Sequence, residues 1–177
     1  LREMGLEEGG LPITPSVIQS SAFGHDRGVI DNLAIEPLPK APSKYVMSVD
    51  VANKRPAADG TAYPGVTFPW TPQSLEGVDA ACLTYDVFVP EEFAFADGLT
   101  LPGFYAVTKG SDYSAKIRVD TRVKLNDSGV TVMNVFAKSA AATGNTDYEL
   151  YDKRMSRGRW VRVEQELVLN APGKTNG

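Results

Sequence analysis

The feature that most constrains the fold is a set of stretches in which apolar and polar residues alternate one by one. In residues 82–89 the alternate positions form an apolar series: Leu83, Tyr85, Val87 and Val89. A period of two is typical of a strand that is buried on one side only, and Pro90 would end this strand. The same alternation recurs in four further stretches: 45–51, 114–125, 130–138 and 160–169.

These stretches predict an all-β fold, an antiparallel β-sandwich of the jelly-roll type, concanavalin- or lectin-like and with little helix. A parallel sheet would need crossover helices, which no stretch of this sequence supplies. Residues 1–28 contain Gly9, Gly10, Pro12 and Pro15, which allow at most a short helical turn before them. We therefore expect an extended N-terminal arm or linker at 1–28 and a jelly-roll domain at 29–177.

The composition of the chain argues against two classes of binding partner. The 177 residues carry 18 basic and 22 acidic side chains, a net charge of -4, which argues against a general attraction to nucleic acid or to an anionic membrane. No apolar run is long enough to cross a bilayer, and no signal-peptide pattern opens the sequence. No motif points to a metal or a cofactor. The single cysteine, Cys82, excludes an intramolecular disulfide, and its apolar strand predicts a small buried side chain.

The stretch 114–125 carries the most informative charge pattern. Its apolar face would be opposed by a charged face formed by Lys116, Arg118, Asp120, Arg122 and Lys124. One interpretation is a solvated outer face with a cross-strand salt bridge. The other is a groove for an acidic polymer, because alternate residues of a strand stand about 6.5–7 Å apart, close to a sugar repeat. Arginine can also hold a carboxylate through two hydrogen bonds.

Two further side chains are candidates for chemistry. His25 is the sole histidine and so the obvious general base, but its glycine-flanked loop is typical of a surface residue. Tyr148 could stack on a sugar ring, or it could simply pack inward.

Two motifs carry a resemblance to a known family. The first runs from Phe88-Val-Pro-Glu-Glu-Phe93 to Gly98-Leu-Thr-Leu-Pro-Gly-Phe-Tyr105, and the second is Trp160-Val-Arg-Val-Glu-Gln165 followed by Leu169-Asn-Ala-Pro-Gly173. In this order they resemble polysaccharide lyases of the alginate lyase and glucuronan lyase type, which are β-jelly rolls. The resemblance covers roughly residues 45–177.

The resemblance implies binding, and β-eliminative cleavage, of a uronate-containing polysaccharide. Such a reaction must neutralise the uronate carboxylate, remove a proton and protonate the leaving oxygen. The implied catalytic residues are Arg118, Arg122 and Tyr105. The implied substrate-binding residues are Lys116, Arg118, Asp120, Arg122, Lys124, Asn134 and Tyr148.

The chain departs from the lyase pattern at three places. Thr100 stands where the family has lysine, Arg118-x-Asp120 where it has Ser-x-Arg, and Val132-x-Asn134 where it has paired tyrosines. The sequence therefore leaves open whether the domain is an enzyme.

Three functions stay open at this point. The first is the acidic-polysaccharide domain, and the second is a non-catalytic structural or assembly domain, such as a virion surface component. The third is a hydrolase with paired carboxylates such as Asp86 and Glu164. We expect an extracellular or virion-associated location. We also expect that the final jelly-roll strands are lacking after Gly177, which would leave an open sheet edge for a protein partner, as the N-terminal arm would.

Overall fold

The computed structural model describes residues 2–51, 63–95, 98–107, 117–138 and 143–170. Two compact units are present, Leu1–Glu76 and Gly77–Gly177. Most of the described secondary structure is β-strand, and every strand pair is antiparallel. The prediction of an antiparallel, mostly-β protein is therefore confirmed.

The first unit contains short elements only. In chain order they are β1 (Glu7–Glu8), β2 (Leu11–Pro12), α1 (Pro15–Ser21), α2 (Val29–Asn32), β3 (Leu33–Glu36), β4 (Val46–Val49) and a 3-10 turn (Gln73–Leu75). Strand β1 pairs with β2, and β3 with β4. Across the described ranges, no helix has the length and apolarity that a membrane span would require.

At the start of the chain, where the sequence allowed at most a short helical turn, the structure has the strand pair β1–β2. Gly9 and Gly10 have φ of 60° and 86°, and two successive positive values suit the tight turn that joins β1 to β2. Helix α1 then begins at Pro15, directly after Thr14 at the N-cap position. Ile18 of this helix packs with Val29 and Leu33 in the core of the first unit.

Thr67, in the irregular segment after residue 63, forms a single isolated β-bridge with Arg27. Arg27 and Thr67 exchange two backbone hydrogen bonds of 2.8 and 2.9 Å, and no longer ladder includes them. Nearby, the buried Asn32 amide donates to the carbonyl oxygens of Tyr63 and Gly65, both at 2.8 Å. These hydrogen bonds hold residues 63–67 in place, although the segment forms no sheet.

The second unit contains six strands. They are β5 (Ala80–Phe88), β6 (Leu99–Val107), β7 (Ile117–Leu125), β8 (Val130–Lys138), β9 (Thr143–Arg154) and β10 (Trp160–Val168). Four of them form the sheet β6-β7-β8-β9, in which each strand pairs with its sequence neighbour. Strands β5 and β10 form a separate two-stranded sheet.

Alternation places the core as the sequence predicted. In β7, Thr121, Val123 and Leu125 are buried, whereas the intervening Arg122 and Lys124 are half-buried. The prediction of a buried Cys82 is wrong, because this thiol lies on the exposed side of β5. The same alternation that turns Leu83 inward turns its neighbour Cys82 outward.

The core of the second unit joins elements from both sheets. Val89, Phe95 and Leu125 are its buried centre. Side chains packed around them include Val87 of β5 and Leu99 of β6. The two sheets therefore share one apolar core.

An irregularity in β6 holds the two sheets together. The pairing of β6 with β7 shifts between Thr100 and Gly103, and Pro102, which has no N–H to donate, lies within this bulge. The Pro102 carbonyl oxygen accepts hydrogen bonds from the Tyr85 hydroxyl at 3.0 Å and from Gln165 Nε2 at 2.7 Å. We call Tyr85, Pro102 and Gln165 the sheet junction.

Position 103 requires glycine because the backbones of β6 and β7 approach each other closely there. A Cβ at this position would lie 1.6 Å from the carbonyl oxygen of Thr121 on β7. Gly103→Ala should therefore force β6 and β7 apart and lower the free energy of unfolding by about 3 kcal/mol, near the upper end for overpacking. Urea unfolding followed by circular dichroism measures this change.

Gly144→Ala is the matched control, because a Cβ at Gly144 of β9 meets nothing within 4 Å. It should change the free energy of unfolding by less than about 1 kcal/mol. Equal effects of the two substitutions would contradict the close-approach explanation.

Candidate functional site

The outward side of the four-stranded sheet gathers most of the predicted site residues. Cross-strand partners share a side of a sheet, and the register places Tyr105 opposite Asp120, and Arg122 opposite Asn134. Asn134 in turn lies opposite Asp147 of β9. The surface formed by Tyr105, Asp120, Arg122, Lys124, Asn134 and Asp147 is called the polar sheet face below.

Arg122 is held in a fixed orientation by its neighbour on β7. Its Nε and Nη2 atoms donate to the two carboxylate oxygens of Asp120, at 2.8 and 2.7 Å. Both side chains are partly shielded from solvent. A planar guanidinium bound at two points loses little further freedom when it contacts a ligand.

A second set of contacts links β7, β8 and β9. Lys124 Nζ lies 4.0 Å from Asp147 Oδ1, and the Asn134 amide also donates to that oxygen. Asn134 is buried although it lies on this outward side. Ion pairing within the face, one of the two interpretations of the sequence, is therefore present.

Three predicted site residues stand apart from this arrangement. Lys116 lies outside the described residues, and the side chain of Arg118 is not among those described. Tyr148 pairs with Met133, one position away from the Asn134–Asp147 pair, so it belongs to the opposite side of the sheet. Its side chain is 56% exposed there. Tyr148 is thus not brought together with Arg122.

Asp147 is the functional candidate that sequence reasoning missed. It lies in a mixed run of acidic and aromatic residues with no clear alternation. Its position beside Lys124 depends on the pairing of β8 with β9, which places Asp147 opposite Asn134. Turn chemistry between the strands could not fix this register.

The half-buried tyrosine of the sheet junction, Tyr85, is unsuited to act as a base. Burial raises the pKa of the Tyr85 phenol well above its usual value of 10.0, although a hydrogen bond with Gln165 opposes this shift. Its hydroxyl already donates to Pro102. Tyr85 therefore stays protonated and supports the fold.

The paired-carboxylate hydrolase gains no geometric support. Both oxygens of Asp86 accept hydrogen bonds from Arg162, at 3.1 and 3.0 Å, so this carboxylate is already engaged. Glu164 lies opposite Thr84, two pairs further along the ladder. His25 belongs to the first unit, in the loop after α1.

Comparison with protein-family models, with curated proteins and with solved structures finds no match to this chain. Within the described ranges, no three His, Cys, Asp or Glu residues come together as a metal site. The lyase resemblance thus depends on the two sequence motifs alone.

The raised pKa of Tyr85 predicts a pH dependence of stability. Below pH 9 or so, Tyr85→Phe should lower the free energy of unfolding by about 1 kcal/mol, the usual net value of one hydrogen bond. Because the folded-state pKa exceeds the unfolded one, the native protein loses this advantage as pH rises above about 10. The difference between parent and variant should therefore shrink there in urea unfolding experiments.

Tyr148→Phe is the control, since it removes a hydroxyl from an exposed side chain of the same unit. A Tyr85→Phe difference that stays constant to pH values near 11 would show that the phenol is not held in a desolvated site.

Proposed function

We propose that residues 77–177 form a jelly-roll-like β-sandwich that binds an acidic, uronate-containing polysaccharide on the polar sheet face, as a binding module. The observation that carries this proposal is the two-point hydrogen bonding of Arg122 by Asp120. It presents an oriented guanidinium on an outward sheet surface, next to a lysine on the same strand.

The spacing of the two cations suits a regular polyanion. Arg122 and Lys124 are alternate residues on β7, which places them about 6.5–7 Å apart along the strand. Consecutive uronate units would present carboxylates at a comparable interval. Each cation would then meet a separate sugar.

The ion pair of Lys124 is weak enough to be exchanged. Its 4.0 Å separation from Asp147 is at the limit of a salt bridge, and the two side chains are 39% and 59% exposed. Exposed pairs of this kind contribute about 0–1 kcal/mol. A ligand carboxylate can therefore replace Asp147 at little cost.

Two features favour binding over cleavage. Thr100, Val132 and Asn134 occupy the positions that supply lysine and paired tyrosines in the lyases that the sequence resembles. The face also carries Asp120 and Asp147 beside its cations, which reduces the positive field that would stabilise a carboxylate-bearing transition state.

A structural or assembly domain is the second candidate. It is favoured by the inner side of β9, where Tyr148 and Leu150 remain 56% and 40% exposed. The core covers the inner sides of β6 and β7 more completely, since Leu101, Val123 and Leu125 are all buried there. Strands from another chain could cover the rest.

Replacing both cations tests the binding proposal. Arg122→Ala with Lys124→Ala should weaken binding of alginate or polyglucuronate by about 10- to 100-fold, the expected loss of two charged contacts. Binding by the parent should also weaken as salt rises from 50 to about 300 mM, because the contacts are exposed. Isothermal titration calorimetry with defined oligouronates measures both effects.

The matched control is Lys153→Ala with Arg159→Ala, which removes the same charge from exposed positions outside the polar sheet face. It should leave affinity within about threefold of the parent. A parent protein that binds no oligouronate at low salt would instead favour the assembly domain. Release of unsaturated uronate by the parent would show that cleavage accompanies binding.

A further inference from the structure

The outward side of the two-stranded sheet presents a second, chemically different surface. Cross-strand partners define it, and we call it the ribbon face: Phe88 with Trp160, Asp86 with Arg162, Thr84 with Glu164, and Cys82 with Glu166. The intervening side chains, such as Val87, turn toward the shared core. The ribbon face therefore points away from the polar sheet face.

One end of the ribbon face is an aromatic pair. The ring centroids of Phe88 and Trp160 lie 5.6 Å apart, and the ring planes meet at 50°. Phe88 remains 37% exposed, so the pair offers an apolar surface to solvent. The C–H side of a pyranose ring can bury its own apolar surface against such rings.

Next to the aromatic pair lies a rigid hydrogen-bonding group. Arg162 donates to both oxygens of Asp86, while its side chain stays 62% exposed. The fixed guanidinium and carboxylate can donate to and accept from adjacent sugar hydroxyls. This geometry needs no rearrangement on binding.

Beyond this pair the surface opens into a cleft of about 390 Å³. Its lining comprises Cys82, Thr84, Glu164, Gln165 and Glu166. The volume lies within the range of about 300–1,000 Å³ that is usual for small-ligand sites. A sugar unit that extends from the aromatic pair would enter this cleft.

The charges of the ribbon face favour an uncharged ligand over an anionic one. Among the described residues, the ribbon face carries three carboxylates, Asp86, Glu164 and Glu166, and one cation, Arg162. Carboxylates at this density repel uronates, but they accept hydrogen bonds from uncharged hydroxyls. We propose that the ribbon face binds a neutral saccharide, which stacks on Phe88 and Trp160 and extends over Asp86 and Arg162 into the cleft.

The two tryptophans of the chain permit a direct test. Trp70 lies in the first unit and Trp160 on the ribbon face, so Trp70→Phe leaves Trp160 as the sole indole. Titration of this variant with cello-, laminari- and mannohexaose should shift and saturably change its emission with at least one sugar. Glu164→Gln and Thr84→Val should each weaken that binding by about tenfold, as expected for the loss of one good hydrogen bond in the cleft.

Cys82 supplies an independent readout that does not depend on fluorescence. It is the only cysteine and lines the cleft, so the saturating sugar should slow its reaction with a thiol reagent severalfold. Arg122→Ala with Lys124→Ala is the control for the other face and should leave both signals unchanged. Failure of uronate binding would therefore not be confused with failure here.

Two results would overturn the proposal. One is an emission spectrum and thiol reactivity that no neutral hexaose alters at millimolar concentration, or that oligouronates alter equally. The other is a Trp160 emission that changes with protein concentration alone, which would assign the ribbon face to contact between copies of the chain.

Discussion

The hydrogen-bonded junction between the two sheets of residues 77–177 depends on one backbone group, the carbonyl oxygen of Pro102. A proline lacks the N–H that a regular ladder would use, so it lies at an interruption in β6, and its carbonyl is available to Tyr85 and Gln165. The interruption in turn requires Gly103, because any Cβ there would collide with the Thr121 carbonyl. Two hydrogen bonds of about 1 kcal/mol each then fix how β5 and β10 lie on the larger sheet.

Both candidate surfaces follow from this arrangement. Turning one side of β5 and β10 toward the core leaves Asp86 and Arg162 outside, and the same applies to Arg122 on β7. Arg122 and Arg162 each bind a carboxylate at two points, but their surroundings differ. A nearby lysine accompanies Arg122, whereas Glu164 and Glu166 accompany Arg162. Similar local geometry therefore occurs in opposite electrostatic surroundings.

The sequence could predict those parts of the fold and of the two surfaces that depend on local interactions. Alternation along a strand predicts which side chains turn inward, and it placed Val123 and Leu125 in the core and Arg122 outside. Pairing over long distances is different, since nothing near Trp160 in the sequence specifies Phe88 as its partner. Asp147 was missed because its position depends on its pairing with Asn134 across the β8–β9 ladder, a register that its own stretch of sequence does not specify. Helix α1 escaped prediction since seven residues are too few to establish a helical period.

The opposed outward sides of the sandwich have a consequence for valency. A rigid ligand on the polar sheet face cannot also reach the ribbon face, because the core and both sheets, packed about 10 Å apart, lie between them. If both proposed sites are occupied, each domain would hold two polymer strands at once, one on either side. A protein of this form would act as a cross-link between unlike chains, and the mechanical strength of that cross-link would depend on the same Pro102 carbonyl that joins its two sheets.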